Sequence, residues 1–433
     1  MLVIGKVINI MEKYTKFLSL FFLLVSIKSI LQWSSLATNI INNTTFWWII
    51  YALTLYLLYK LKPKQYKIPL INIFLILTYL SFLYGAVFMT RNYWDWKLLI
   101  ENFMIFLLPL SAYTFSIPKR VEQVLGFWYN KSWIILLILW PFLYSDAYAN
   151  FLAPYVFIAL FFSILNHKWK IIIICVFLIT LLLGWASRSC LLRLGIAIII
   201  SLLFNTNIKT INYNKYIKPI TIGLWLLPII LFISGITNTF NIFNIDEEFE
   251  LSQKYTFLTN WGGEDNSGTF VEDTRTPVYK DIILPAIENN YYIWGHSLAR
   301  GYPSTMFGES TAEALGGDFL EGERPRCEIS ILNVFTYMGI IGVLLYMSIF
   351  IYSSYLAVFR SKNRFLPIIG LFIAFRWLYG WIEDFSLFNS NYMLLWIMIG
   401  ICISPIFRNM NNYEFKDWLN SLLSVSFQNW RID

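Results

Sequence analysis

The chain places a single carboxylate at the start of a long apolar run, in the stretch Glu328-Ile-Ser-Ile-Leu-Asn-Val-Phe-Thr-Tyr-Met-Gly339-Ile-Ile-Gly342. The residues before it, 237–327, form the only long polar interval of the sequence, and apolar runs dominate on both sides. This contrast predicts a functional site in the polar interval and at the start of the helix that follows it. The rest of the chain is then a hydrophobic scaffold that holds the site.

The composition predicts a membrane protein. Of the 433 residues, 58% are hydrophobic and 14% are charged, whereas soluble domains average about 25% charged residues. Inside lipid, backbone amides must be satisfied within each segment, which favours helices. At roughly 20 apolar residues per span, we predict an all-α polytopic membrane protein with about twelve transmembrane helices. The apolar runs lie near residues 17–33, 45–60, 69–89, 98–116, 132–144, 151–166, 170–186, 190–205, 216–236, 328–357, 365–382 and 391–407.

The charged residues predict the orientation of these spans. Residues 237–327 contain 15 acidic and 6 basic residues, which leaves 11 acidic and 27 basic residues elsewhere. Lys and Arg concentrate in the short loops after the even-numbered spans, and the positive-inside rule assigns such loops to the cytoplasm. We therefore expect cytoplasmic termini and one large extracytoplasmic (periplasmic) loop between spans nine and ten. Anionic lipid accounts for the basic surface, so no nucleic-acid partner is expected.

This topology divides the chain into four parts. They are spans one to nine in residues 1–236, the large loop in 237–327, spans ten to twelve in 328–407, and a tail in 408–433. The tail mixes apolar and polar residues in the manner of an amphipathic helix. Such a helix either lies on the inner membrane surface or packs against the protein, and the sequence leaves both possibilities open.

Arginines on the predicted outer side are the first candidate site residues. Arg188 and Arg193 lie at the turn between spans seven and eight. An arginine near the membrane is costly unless it is paired, hydrated or functional, although it can also reach lipid phosphates at the interface. Arg275 lies at a helix start predicted by Pro277, where backbone amides and a guanidinium can both meet an anion. The alternative for Arg275 is a surface ion pair with Asp273.

Two further segments carry polar groups that could take part in chemistry. The aromatic turn 292–302 contains His296 and Arg300 and suits a sugar ring, but many external loops have this composition. Glu328 is either a favourable charge at a helix start or a general base. Arg376 and Glu383 lie near the outer end of span eleven and could join the same cavity. Scattered cysteines and only two histidines give no metal-ligand spacing, so no metal cofactor is expected.

In their order and predicted topology, three features resemble the O-antigen ligase/polymerase superfamily of membrane enzymes. They are the Ser187-Arg188-Ser189 turn between two spans, an Asp-x-Arg pair (Asp273 and Arg275) in the large loop, and Glu328 eleven positions before Gly339-Ile-Ile-Gly342. The resemblance covers residues 185–342, and the hydropathy layout fits over the full length. The sequence departs from the ligases at one pair of residues, because Glu328-Ile329 stands where they typically have His-Asn.

The resemblance implies a bacterial inner-membrane enzyme that acts on undecaprenyl-diphosphate-linked glycans at the periplasmic face, without a metal. The missing ligase histidine favours the polymerase branch, in which Glu328 is the catalytic base. The resemblance and the residue types together assign the diphosphate to Arg188, Arg193, Arg275 and Arg300. Further substrate contacts are then expected at Asp273, Tyr279, His296 and Arg376, and a separate chain-length regulator protein as a partner.

Two other functions remain possible at the level of the sequence. One is a ligase that transfers the glycan to lipid A core or to protein and uses Glu328 in place of histidine. The other is a flippase for the same lipid-linked oligosaccharides. A transporter is expected to bury charges near the midplane or to break its helices there, whereas these charges lie mainly at the predicted outer boundary and the spans contain few breaks.

Overall fold

The computed structural model describes residues 2–36, 43–63, 68–183, 188–205, 213–237, 239, 256–258, 267–269, 275–304 and 322–424. These residues are mostly helical, as the sequence predicts. The helices are α1 (Leu2–Leu31), α2 (Thr44–Lys60), α3 (Pro69–Tyr84), α4 (Tyr93–Phe106), α5 (Leu110–Thr114), α6 (Pro118–Leu139), α7 (Ser145–Leu152), α8 (Tyr155–Ala159), α9 (His167–Leu183), α10 (Arg188–Asn205), α11 (Tyr213–Ile236), α12 (Thr276–Glu288), α13 (Ser330–Phe359), α14 (Leu366–Tyr379), α15 (Ser390–Ile403), α16 (Pro405–Asn409) and α17 (Asn412–Ser424).

Short strands and non-α turns complete the described residues. β1 (Thr256–Leu258) pairs with β2 (Ser267–Thr269), and β3 (Tyr302–Pro303) pairs with β4 (Glu323–Arg324), both antiparallel. In the second pair Tyr302 lies opposite Arg324. A π-helical turn, Gly85–Met89, extends α3, and 3₁₀ turns follow α6 and α8 at Trp140–Phe142 and Phe162–Ile164.

Several helices are long and apolar enough to cross a membrane. In the described part of the chain five such segments occur, at Ile10–Leu31, Pro69–Met89, Tyr93–Thr114, Lys215–Ile236 and Ser330–Arg360. Shorter apolar helices occupy Ser189–Phe204, Leu366–Tyr379 and Ser390–Ile403. The chain is therefore an all-α, membrane-associated protein, and the total of twelve spans stays a prediction.

Two predicted spans differ from a single straight helix. The run 151–166 consists of the end of α7, then α8 and a 3₁₀ turn, with Pro154 at the junction of the two helices. The run 98–116 is interrupted between α4 and α5, where Pro109 follows two turn residues. Proline has no backbone N–H to donate to the preceding turn, so a helix readily ends there. Both segments lie where apolarity predicts them, and each is broken at a proline.

The short helix α15 forms the interior of the bundle. All its residues from 392 to 403 are buried, and it packs against α5, α13 and α14. A helix that is apolar on every side must be surrounded by apolar material, and here other helices supply it. By contrast, only 11% of the apolar part of α11 is buried, so this helix presents apolar side chains to its surroundings.

The tail helix α17 packs against the protein. Phe415, Trp418 and Leu422 are buried, and the indole of Trp418 donates a hydrogen bond to the carbonyl of Pro118 at 3.2 Å. Its apolar face is thus covered by protein, which is the second of the two possibilities left open by the sequence. Residues 425–433 of the predicted tail lie outside the described part of the chain.

The helix that follows the polar interval is broken at Gly339. Gly339 has φ 61° and ψ −165°, so α13 consists of two helical segments joined at this residue. The backbone groups at the break form hydrogen bonds with another segment of the chain. His296 N–H donates to the Thr336 carbonyl at 2.6 Å, and Ile340 N–H donates to the Tyr292 carbonyl at 2.9 Å. The segment 292–296 therefore satisfies the backbone groups that the break exposes, as buried irregular backbone requires.

The first segment of α13 connects two sides of the bundle. At its start, Ile331 N–H donates to the carbonyl of Gly380, just after α14. At its end, the carbonyl of Tyr337 accepts a hydrogen bond from the Ser81 hydroxyl of α3 at 3.1 Å. With a rise of 1.5 Å per residue, these two contacts are roughly 9 Å apart along the helix. The two sides carry different sets of polar residues.

Candidate functional site

Three elements meet at the side near Gly380: the start of α12, the start of α13 and the turn 380–386. The Tyr279 hydroxyl of α12 donates to the carbonyl of Trp381 at 2.7 Å. The Ser330 hydroxyl donates to Asp384 Oδ1 at 3.0 Å and accepts a hydrogen bond from the backbone of Phe385 at 2.9 Å. The large loop is thereby attached to the ends of α13 and α14, so side chains from distant parts of the sequence share one site.

Predicted arginines converge there. Arg275 Nη2 is 4.0 Å from Glu383 Oε2. Arg193, near the start of α10, is buried and lies within electrostatic range of both Glu383 and Arg376. We call Arg193, Arg275 and Arg376 the arginine cluster. Because its members come from α10, the residue before α12, and α14, only the fold brings them together.

Glu383 has an unusual environment for a carboxyl group. Burial raises its pKa above the ordinary value of 4.5, and the neighbouring charge of Asp384 adds to this effect. Arg193 and Arg275, together with a hydrogen bond from Ser189, act in the opposite direction and offset part of it. Both directions are expected for a carboxyl group that leaves water and gains cationic neighbours.

Arg376 is the most unusual member of the cluster. Its side chain is only 1% exposed, and within the described residues neither Nη1 nor Nη2 has a hydrogen-bond partner. Its guanidinium carbon lies 4.2 Å from the ring centroid of Phe385 and 5.6 Å from that of Tyr379. Aromatic faces stabilise a cation without using its N–H donors. A buried guanidinium with unused donors has both the charge and the N–H groups needed to bind an anion.

Glu328 is more accessible than the sequence suggests. Its side chain is half-exposed, and its carboxylate accepts a close hydrogen bond from Arg324 Nη2, which lies four residues earlier. α13 begins at Ser330 without a side-chain cap, so Glu328 does not serve as the cap of this helix. Arg324 also donates to the Tyr302 hydroxyl at 3.3 Å. These contacts hold the carboxylate just before the start of α13, accessible to an incoming group.

A second charged network behind Glu328 was not predicted. Arg326 Nη2 lies 3.2 Å from Asp384 Oδ2 and donates to the Ser386 hydroxyl at 3.1 Å. Asp384 in turn accepts the Ser330 hydrogen bond, so the network fixes the turn 380–386 against α13. The signal in the sequence was the basic pair Arg324 and Arg326, placed before a span that returns to the acidic pair at 383–384.

Arg300 and His296 belong to another part of the structure. Arg300 Nε and Nη2 donate to both carboxylate oxygens of Glu323, at 2.7–3.1 Å, and its Nη1 lies 3.8 Å from Asp95 Oδ2. His296 stacks on Tyr291 with ring centroids 4.5 Å apart. The Arg300 guanidinium thus contacts two carboxylates. No described contact joins it to the arginine cluster.

The remaining candidates are only partly described. Tyr279 is anchored to Trp381, and burial raises its pKa far above the usual range. α10 begins at Arg188, but the side chain of Arg188 lies outside the described residues. Asp273 is also outside them, so its predicted pair with Arg275 is not described. The predicted helix start is confirmed, with Arg275 at the cap position and Pro277 in the first turn.

Comparison of the chain with protein-family models, with curated proteins and with solved structures finds no match. The functional interpretation therefore depends on the chemistry of the site. That site combines buried guanidinium groups with a half-exposed carboxylate on an adjacent element. Such a set can bind an anionic group and accept a proton beside it.

Proposed function

We propose that this protein is a surface-polysaccharide polymerase. It would be a glycosyltransferase that joins undecaprenyl-diphosphate-linked repeat units at the periplasmic face of the bacterial inner membrane. The observation that carries the proposal is Arg376, a buried guanidinium with unused donors beside Arg193. The proposal includes the predicted topology, with twelve spans, cytoplasmic termini and the large loop outside.

The proposed reaction is a direct displacement at the anomeric carbon of the donor sugar. The acceptor hydroxyl oxygen forms the new glycosidic bond while the bond from the anomeric carbon to the diphosphate oxygen breaks. Glu328 accepts the hydroxyl proton, and the electron pair leaves with undecaprenyl diphosphate. The arginine cluster stabilises the charge that develops on the leaving group, and bidentate guanidinium–phosphate contacts suit this task without a metal.

The remaining candidates receive supporting roles. Arg188 precedes Arg193 on α10 and is proposed to bind the second phosphate. Arg300 and His296 shape the loop around Glu323. Tyr279 fixes α12, and with it Arg275, against the turn after α14. Because two lipid-linked substrates must be held in register, such positioning supplies much of the expected rate enhancement.

The broken helix bears on the flippase alternative. A discontinuous helix in a transporter leaves backbone groups open for the substrate. In this chain, segment 292–296 fills the break at Gly339 with its own hydrogen bonds. This contact favours a fixed scaffold over a gate for a moving substrate.

The test is the surface-glycan profile of a deletion strain complemented with wild type, Glu328→Gln or Glu288→Gln. Glu288 is an exposed carboxylate at the end of α12 and serves as the matched control. For a polymerase, the deletion leaves single repeat units on the core and loses the ladder of longer chains. Wild type and Glu288→Gln restore the ladder, whereas Glu328→Gln does not.

Other profiles would identify the alternatives. Complete loss of attached glycan, with lipid-linked polymer accumulating, would identify a ligase. Single repeats retained on the cytoplasmic face would identify a flippase and remove the catalytic scheme. An intact ladder with Glu328→Gln would show that Glu328 is not the base.

A further inference from the structure

A cavity of about 780 Å³ lies at the other end of the first segment of α13, near α3. Its volume is in the range of small-molecule binding sites. Its wall combines the end of α3 and the following π turn with the loop after α12. The lining residues used below are Leu80, Tyr84, Asn289, Asn290, Trp294 and Glu323.

The formal charges at this cavity balance, because the lining residues Arg91 and Arg300 are matched by Glu323 in the lining and by Asp95 beside it. Glu323 accepts hydrogen bonds from Arg300 and from the backbone N–H of Gly301. Asp95 accepts a hydrogen bond from the backbone N–H of Arg91 at 2.9 Å and lies near Arg300. The cavity therefore differs from the arginine cluster, because its buried guanidinium, that of Arg300, already has a carboxylate partner. A neutral polar ligand suits it better than a diphosphate does.

The accessible groups match the two kinds of surface that a sugar presents. Trp294 is 65% exposed and Tyr84 is 49% exposed, so their rings are available to the apolar C–H face of a sugar ring. Asn289 and Asn290 are exposed amides with donors and acceptors for hydroxyl groups, although Asn289 Nδ2 also donates to the Pro285 carbonyl at 2.9 Å. At the other end, Leu80 is 54% exposed on α3, so the cavity borders the apolar surface of the bundle.

The aromatic wall is held rigidly. Gly295 has φ 80°, and a Cβ there would stand 2.4 Å from the backbone N of Met338. The loop therefore lies directly on the backbone of α13, and the backbone hydrogen bonds at Tyr292 and His296 keep it there. Trp294 is presented from a fixed backbone, so little ordering is required when a ligand binds.

We propose that this cavity is a glycan-binding subsite, which holds a sugar of the lipid-linked repeat unit apart from its diphosphate. The choice of repeat unit as the ligand rests on the proposed function. The separation rests on the structure, because the first segment of α13 lies between the cavity and the turn that carries Glu383. The subsite would hold the glycan while its reactive end lies at the outer end of α13.

The probe is the free repeat-unit oligosaccharide, released by mild acid from lipid-linked glycan of the parent strain and therefore lacking diphosphate and lipid. Binding to the full-length protein in nanodiscs is measured by calorimetry and by saturation-transfer NMR. Trp294→Ala removes an exposed ring and leaves the backbone hydrogen bonds in place. Trp140→Ala is the matched control, because Trp140 is also exposed but does not line the cavity.

A second cavity variant, Asn290→Gly, is chosen because it is not expected to disturb folding. Asn290 has φ 60°, a conformation that glycine adopts without strain. Asn290→Gly therefore removes the side chain with its amide and leaves the backbone conformation unstrained. We expect wild type and Trp140→Ala to bind equally, and both cavity variants to bind about tenfold more weakly, the loss expected for one good aromatic or hydrogen-bond contact.

The inference would be overturned if wild type did not bind the oligosaccharide, or if the cavity variants bound it as wild type does. Displacement by inorganic diphosphate would also overturn it, because the two sites would then be the same. The proposed function fails separately. If Glu328→Gln keeps the glycan ladder while Trp294→Ala weakens oligosaccharide binding, the subsite stands and the catalytic assignment does not.

Discussion

Replacing Arg376 with methionine separates a ligand-binding role from a structural one. The substitution keeps a long side chain among apolar neighbours and removes a charge that is 1% exposed. The effective cost of burying such an ion is several kcal/mol. Stacking on Phe385 and Tyr379 returns up to about 2 kcal/mol, and the described residues offer its Nη atoms no hydrogen bond. We therefore expect Arg376→Met to stabilise the free protein by about 1–4 kcal/mol.

The assay combines stability with function. Thermal unfolding of the purified protein in detergent is recorded with and without inorganic diphosphate, and the same variants are used to complement the deletion strain. A ligand that binds only the folded state raises its stability, by about 2.7 kcal/mol at a hundredfold excess over Kd. Wild type should show this gain. Arg376→Met should start from a higher unfolding temperature, lose most of the gain and fail to restore the glycan ladder.

Arg120→Met is the matched control. Arg120 Nη1 donates to the carbonyls of Leu61 and Thr114, so its removal loses charged hydrogen bonds worth about 1.5–3 kcal/mol each. We expect a lower unfolding temperature and an unchanged gain from diphosphate. The reasoning is refuted if Arg376→Met unfolds below wild type, or if it keeps both the diphosphate effect and the ladder.

Two further predictions concern the carboxyl group of the site and the helix break. Because the folded-state pKa of Glu383 is raised, its contribution to stability is complete below the ordinary carboxyl pKa and is lost as the pH rises through the raised one. The free energy of unfolding of wild type minus that of Glu383→Gln should therefore increase as the pH falls through the raised pKa toward the ordinary value of 4.5; a flat difference would contradict this. Gly339→Ala should cost more than about 3 kcal/mol, because its Cβ would stand 2.2 Å from the Ile293 carbonyl oxygen at positive φ. Gly195→Ala, whose Cβ would lie 3.9 Å from Phe177, should instead be neutral or stabilising by up to about 1 kcal/mol, and equal effects of the two substitutions would contradict the role of Gly339.

The sequence predicted the members of the arginine cluster better than their arrangement. Arg193 and Arg376 lie in apolar runs, where a charged side chain is costly and therefore points to a function. In the structure the two side chains are close enough to interact electrostatically. Arg300 was assigned to the diphosphate from the resemblance and its residue type, and yet it pairs with Glu323, 23 positions away. Local sequence shows that a charge is unusual, but it does not show which distant carboxylate has neutralised it.

The helices followed from apolarity, whereas the interruption of α13 at Gly339 did not. Gly339 was noticed in the sequence as part of a Gly-x-x-Gly spacing, without a physical reason for its position. The reason is the approach of segment 292–296, which needs both a positive φ and the absence of a Cβ. That segment lies more than thirty residues earlier in the chain. A requirement of this kind depends on the tertiary contact, so no local pattern could have predicted it.

Charge balance argues for the class of ligand at the site. Two other described arginines of the site have carboxylate partners, Arg275 with Glu383 and Arg326 with Asp384. Within the described residues, Arg193 and Arg376 have no carboxylate at ion-pair distance, and Arg193 is instead hydrogen-bonded to Ser189. The interior thus carries an excess of cationic charge that an ordinary core would not keep. A diphosphate ester, with one negative charge on each phosphate, would balance the two guanidinium groups, whereas a neutral sugar would leave both charges uncompensated. Under the proposed function, we therefore expect the diphosphate at the arginine cluster and the sugar at the opposite end of the first segment of α13.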